Sequence, residues 1–347
     1  MPSNQLSDYF SYRAIVKRLL LFVGVWPKVR RSIWYSCVPI LQIFLHTVTI
    51  IAISGFMRKY INNIDLVIYA GSPLISHCVG LVKVSPFFRI NYTISIYFNI
   101  ILIAYLFKTA SLFMNRKDIE KLHQILDPHF EDLINHSKLS EFILTELSFF
   151  RRLSSTHVIS TCIFCVLYIL KPIIVIIYMH LHHIHPIQYR LINPQIFPWK
   201  ITSNGFLYKC HFIIDTVCTL LGFSLTAGVD LLFGLYISQI IGQLIEMSHR
   251  ISQLDSSKNE NNKIIKECIS KYEILIECQN ILNKIYGPIV LFTVLTNGAN
   301  ICAQMFQIRK VPNLAVQKII TPLLFIFFKL FQTFLYAFAG SRLTQES

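Results

Sequence analysis

The sequence predicts an all-α polytopic membrane protein, a helical bundle of about six genuine spans plus one anomalous apolar segment, with cytoplasmic helical extensions. Three observations carry that reading. Hydrophobic residues make up 54% of the 347-residue chain and charged residues 14%, against about 25% charged in soluble domains. Phe occurs 27 times and the mean hydropathy is +0.53. Several uncharged runs reach the roughly 20 residues that a helix needs to cross a bilayer. These numbers exclude a disordered chain, a soluble repeat solenoid, a collagen and a disulfide-stapled module. The nine Cys are scattered, several of them inside apolar runs, where they act as small hydrophobes.

Taken in order, the first apolar stretch, Leu19 to Trp26, is too short to span and lacks a signal-peptide cleavage site. Ile33 to Met57 qualifies as a span without a single buried charge to explain. Leu66 to Val82 and Ile90 to Phe107 follow, then Leu153 through Lys171-Pro172 to His180. Cys210 to Ile237 is interrupted by Asp215 and Asp230. Ile285 to Ile308 is uncharged, and Val316 to Ala339 carries Lys318 and Lys329.

Basic residues set the expected orientation. Arg13, Lys17, Arg18, Lys28, Arg30 and Arg31 precede the first span, and residues 115–152 and 238–284 are equally rich. All three should be cytoplasmic. The net charge of +14 then belongs to loops beside anionic lipid rather than to a nucleic-acid partner. That alternation needs an odd number of crossings between residues 60 and 115, where hydropathy gives two. Removing residues 84–108 restores the parity. This segment, rich in Ile, Asn, Tyr and Phe, is expected to be an insertion such as a translated intron, with a re-entrant helix as the alternative. The resulting organisation is a cytoplasmic segment at 1–32, a transmembrane ligand-binding bundle at 33–235, a cytoplasmic hairpin at 236–286 and the last spans at 287–347.

Within the hairpin, Ile265, Ile269, Tyr272 and Ile276 recur at helical steps, and Ile237, Ile241, Leu244 and Ile251 prolong the fourth span. Both patterns suit a packed subunit-contact domain whose helices run straight out of the membrane. Four charges fall within spans. Asp215 and Lys329 are expected to reach water at a boundary. Lys171 beside Pro172 is expected to line a wet cavity. The four His between Met179 and His185 have no Asp, Glu or Cys nearby to complete a metal set, and Cys162-Ile-Phe-Cys165 reads as buried structural thiols. No phosphate loop, nucleophile elbow or zincin motif is present, so neither an enzyme nor a cofactor is expected.

Several patterns along the chain resemble the insect odorant receptor family. They are Gly24-Val-Trp26-Pro27 near the start, Asn115-Arg-Lys117 with Leu122, and Pro198-Trp199 in the loop after the third span. Asp230 with Phe233, Ile241-Gly-Gln-Leu244, and Cys302 with Phe306-Gln307 follow. The most specific is the end, with Tyr336, Gly340, Leu343-Thr344 and Glu346-Ser347. Lys271-Tyr272 and Ala337 depart from the family pattern without undoing it. The resemblance implies a seven-span plasma-membrane protein with its N-terminus inside, in the dendrite of an olfactory sensory neuron. It implies a heteromeric, tetrameric cation channel formed with a co-receptor subunit and gated by small volatile odorants. The family's pore helix would follow Leu343, so this chain is expected to lack it. A G-protein-coupled receptor is the alternative reading, opposed by the basic N-terminus. For an apolar odorant the resemblance points to the outer halves of the spans, with Tyr69, Tyr168, Lys171, Phe212, Thr216, Thr321 and Phe325 at suitable depth.

Overall fold

A computed structural model describes residues 2–26, 32–60, 62, 111–112, 114–136, 140–187, 189–193, 195–199, 201–202, 204–254, 261–309 and 316–346. Among them eight helices follow in order: α1 (Pro2–Phe22), α2 (Ile33–Lys59), α3 (Arg116–His136), α4 (Ser140–Glu146), α5 (Ser148–Leu181), α6 (Phe206–Ser252), α7 (Asn261–Arg309) and α8 (Val316–Glu346). Five stretches are long and apolar enough to cross a membrane: α2, α4 with α5, α6, α7 and α8. The apolar runs 66–82 and 90–107, with the suspected insertion at 84–108, lie outside the described residues.

Helix α5 shows how the bundle meets its surroundings. Ser154, His157, Thr161, Cys165 and Pro172 are buried along one face. Ile159, Ile163, Val166, Leu170, Ile174 and Ile177 are exposed on the other. A helix that turns its small and polar side inward and its branched aliphatics outward is stable only where the outside is lipid. Cys165 is buried as expected, whereas Cys162 lies on the exposed face.

The other end of the bundle is packed like a soluble domain. Helix α1 buries Tyr9, Tyr12, Val16 and Leu20, at steps of three and four, against α6. Helix α3 does the same with Ile119, Leu122, Leu126, Phe130 and Leu133. These residues join the lower halves of α6 and α7 in one core that contains Tyr236, Ile240, Leu275, Leu282 and Tyr286. The chain leaves α1 through Gly24 at φ +72°, where an added Cβ would stand 2.9 Å from Val38 and Pro39 atoms, so only glycine fits the turn. Helices α6 and α7 are continuous over 47 and 49 residues. The apolar runs 210–237 and 285–308 are therefore parts of longer unbroken helices.

Candidate functional site

Three polar clusters are built into this apolar frame, and two of them hang on α6. The first centres on Asp230, whose side chain is 4% exposed. A carboxylate at such a position must find donors or it costs several kcal/mol. Three side chains from two other helices supply them. His157 Nε2 on α5 lies 3.2 Å from Oδ2. Gln332 Nε2 on α8 donates to the same oxygen at 2.5 Å, and the Tyr336 hydroxyl donates to Oδ1. Lys329 Nζ reaches Gln332 Oε1 at 3.4 Å and stands 5.5 Å from the ring centres of Phe325 and Phe328. Asn297 on α7 donates to Thr333 Oγ1 at 3.0 Å and to the Lys329 carbonyl. A cavity of about 10 Å³, the size of one water, adjoins His157, Asp230, Gln332 and Tyr336.

The second cluster centres on Asp215, 1% exposed and about four turns along α6. Its donors come from a loop. The Asn193 backbone N donates to Oδ2 at 2.9 Å, and Asn193 Nδ2 donates to Oδ1 at 2.7 Å. Gln195 Nε2 adds a third bond at 3.0 Å. Loops avoid the interior because their backbone donors go unmet there. Asn193 is nevertheless fully buried, because Asp215 accepts both its backbone and its side chain. Tyr168 on α5 donates to Asn193 Oδ1 at 2.8 Å. The Ile196 N–H donates to the Ala52 carbonyl on α2 at 2.9 Å. The loop comes close to the helix there: an added Cβ at Gly55 would lie 3.0 Å from the Ile196 oxygen, close enough that the loop would have to shift by a few tenths of an ångström.

The third cluster joins α1 and α3 to the C-terminal half of α6. Arg13 on α1 pairs with Asp127 and Glu131 on α3. Gln239 on α6 donates to Asp127 and to the Tyr9 hydroxyl, each at 3.0 Å. His123 beside them has its pKa lowered to about 4 by burial, then by the charges of Arg13 and Lys17. Burial pushes the Tyr9 and Tyr12 hydroxyls upward.

One expectation is corrected. Asp215 and Lys329 do not reach water: they are 1% and 7% exposed, because an inward loop and the side chains around Gln332 meet them inside the bundle. Lys171 is exposed on α5.

Of the other suggested ligand residues, Tyr168 is bound to Asn193 and Phe212 packs 6.1 Å from Tyr208. The Thr216 hydroxyl donates to the Phe212 carbonyl within its own helix, and Phe325 lies under Lys329. Tyr69 and the side chain of Thr321 fall outside the described residues. Neither the cavity beside Asp230 nor a second one of about 10 Å³ between Tyr9, Tyr12 and Leu147 is lined by any of the five whose side chains are described. His157, Gln332, Asn193 and Gln195 were not anticipated, although an acid inside an apolar run signals that such donors must exist.

The motif residues fall at junctions. Trp26 is buried edge-on against His123, with centroids 4.9 Å apart, and its carbonyl accepts the Tyr35 hydroxyl at 3.0 Å. Asp230 and Tyr336 bond each other. Leu343 is buried, Gly340 exposed, and Glu346 lies 3.8 Å from Arg342. Pro27 and Ser347 are outside the described residues.

The fold is similar to that of the insect olfactory receptor OR5 from Machilis hrabei, solved in complex with eugenol. The TM-score is 0.61 at 13% identity, covering 94% of this chain and 79% of that one. No curated protein matches the chain in sequence. The family model described as 7tm odorant receptor matches residues 92–347, a range that starts inside the 84–108 segment. With that match, a multi-pass helical bundle and family motifs seated at its junctions, the chain belongs to the 7tm odorant receptor family.

Proposed function

We propose that this receptor is the odorant-tuning subunit of a heteromeric, odorant-gated cation channel, assembled with a co-receptor subunit in the plasma membrane of a sensory dendrite. The family match over residues 92–347 carries the reading. The similar Machilis receptor holds eugenol, and a small volatile of that kind suits a bundle whose walls are aliphatic and aromatic. The odorant is assigned to the halves of the spans near the loop between α5 and α6. There Tyr168, Phe212, Phe325, Tyr69, Thr216, Thr321 and Lys171 are the residues to substitute first. That end is the outer one, and the N-terminus with the basic segments 115–152 and 238–284 lies in the cytoplasm.

Co-receptor contact is assigned to the hairpin at 236–286. On α7 the side chains of Ile265, Ile269, Tyr272 and Ile276 are 39–54% exposed. They form one apolar stripe beyond the membrane, as expected of a surface covered by another subunit.

The test has two arms. Purified receptor in lipid nanodiscs should bind apolar volatiles such as eugenol, and co-expressed co-receptor should be retained with it through detergent extraction. Charged substitutions at Ile269 and Tyr272 should abolish retention and leave odorant binding intact. Retention that survives both substitutions would place the subunit contact elsewhere. A tag at residue 2 detected on intact cells would overturn the orientation.

A further inference from the structure

Asp215 is a group that the family reading leaves without a task. It is buried inside α6, and its carboxylate accepts from Asn193 and Gln195, both carried on one loop. The same loop is tied at four further points. Asn193 Oδ1 accepts from Tyr168 on α5, and the Arg190 carbonyl accepts from the Tyr208 hydroxyl on α6 at 3.1 Å. The Ile196 N–H bonds α2. Phe197 packs edge-on against His211 on α6, with centroids 4.2 Å apart. The loop thus crosses the ends of three helices and sinks Ile192 and Asn193 between them.

We propose that these residues form a strap, with Asp215 as the positioning residue that clamps it, and that ligand exchange at this end of the bundle requires the strap to lift. The inference rests on the odorant-binding reading. The clamp is suited to opening. It consists of a few hydrogen bonds at one carboxylate rather than an extended apolar seam, so its release exposes little hydrophobic surface. A single acceptor holding backbone and side chain together also makes the strap move as a unit. Tyr168 lies on the path of this movement. Its hydroxyl proton is engaged by Asn193, and that bond breaks when Asn193 leaves.

The strap should set how fast a ligand arrives and departs while leaving the equilibrium nearly unchanged. A residue that merely shapes the pocket would shift affinity through the off-rate alone.

The experiment uses the full chain in nanodiscs with the apolar fluorophore N-phenyl-1-naphthylamine, followed by stopped-flow fluorescence. D215N should raise the association and dissociation rates together, each by about tenfold, because one acceptor oxygen becomes a donor facing donors. The exchanged pair N193D/D215N keeps a donor–acceptor contact between the two side chains and should bring both rates back toward the original. The strap can also be fixed without touching Asp215. An added Cβ at Gly55 lies 3.9 Å from the Ile196 Cβ, within disulfide range. Oxidised G55C/I196C should slow both rates about tenfold or more, and dithiothreitol should restore them.

Rates unmoved by a completed cross-link would overturn the strap and direct ligands through the lipid-facing helices. A D215N change confined to the off-rate would overturn it as well, leaving Asp215 a wall of the pocket. Failure of the unaltered receptor to bind the probe, eugenol or any apolar volatile would instead overturn the odorant reading itself, and the strap with it. Should D215N not fold, the cross-linked variant decides alone.

Discussion

Asp215 and Asp230 are the same residue type on the same face-to-core helix, about four turns apart, each almost without solvent. Their donors differ in kind. Asp230 is met by His157, Gln332 and Tyr336, side chains fixed on packed helices. Asp215 is met by Asn193 and Gln195, carried on a loop. A carboxylate held by helices welds the bundle, whereas one held by a loop fastens a movable part. Burial alone does not distinguish the two, because both are satisfied. The mobility of the donors does.

Removing Asp230 should therefore cost most. D230A leaves three donors from two helices without their acceptor, and the loss is expected to be about 3–5 kcal/mol. The check is thermal unfolding of the purified receptor followed by tryptophan fluorescence. A loss no greater than that of D215A would erase the distinction.

D215A should cost less, about 2–3 kcal/mol, and the damage should be local. Hydrogen exchange at Asn193 and Ile196 should accelerate, while the amides of α6 from Leu225 to Leu244 keep their protection. Acceleration along all of α6 would mean that Asp215 also welds.

The cluster that joins α1 and α3 to α6 adds a pH-dependent counterpart. His123 has its pKa lowered to about 4 by burial, Arg13 and Lys17, against about 6.5 when unfolded. Between those values the unfolded chain binds the extra proton, so stability rises with pH. The His123 contribution is complete above about pH 6.5 and is lost as pH falls toward about 4. Allowing for its partial exposure, the loss should be about 2 kcal/mol at most. The difference in stability between the receptor and H123Q, measured from pH 7 to pH 4, isolates it. A flat difference would refute the assignment.

The smallest effects belong to the two tyrosine hydroxyls. Y168F removes a bond between neutral groups and should cost about 1 kcal/mol, and Y336F, whose hydroxyl donates to a carboxylate, about 1.5 kcal/mol or slightly more. They should differ in place. Y336F should loosen α8 against α6, and Y168F should raise exchange only in the loop residues around Asn193.

Much of this was legible in the sequence, for identifiable reasons. Apolar runs at 33–57, 153–180, 210–237, 285–308 and 316–339 appear as helices because length and hydropathy decide spanning. The continuation of α6 and α7 as helix past these apolar runs was visible in Ile241, Leu244, Ile265 and Ile269 at helical steps. The fates of Asp215 and Lys329 were not. Whether a charge reaches water depends on what faces it from another element, and one sequence carries no register between helices. Gln332 reads as an incidental polar residue in an apolar run until α6 brings Asp230 to it. Asn193 reads as a loop residue because the inward dip of the loop is met by Gly55 and Ala52 in a helix far away in sequence. Of the suggested ligand residues, Tyr168 hydrogen-bonds into a polar cluster through the loop, and Phe325 meets one through Lys329.

The unbroken length of α6 has a mechanical consequence. At 1.5 Å per residue its 47 residues make a rod of about 70 Å, more than twice the thickness of a bilayer's hydrocarbon core. Asp230 sits near its midpoint, pinned to α5 and α8. A rod held at its middle is a lever with arms of about 35 Å, and a tilt of about 3° sweeps each tip by about 2 Å in opposite directions. Asp215 rides on one arm with its loop, and Gln239 with its bonds to Tyr9 and Asp127 rides on the other. The rod is thus braced at its middle, with a loop tied to one arm and a packed core around the other.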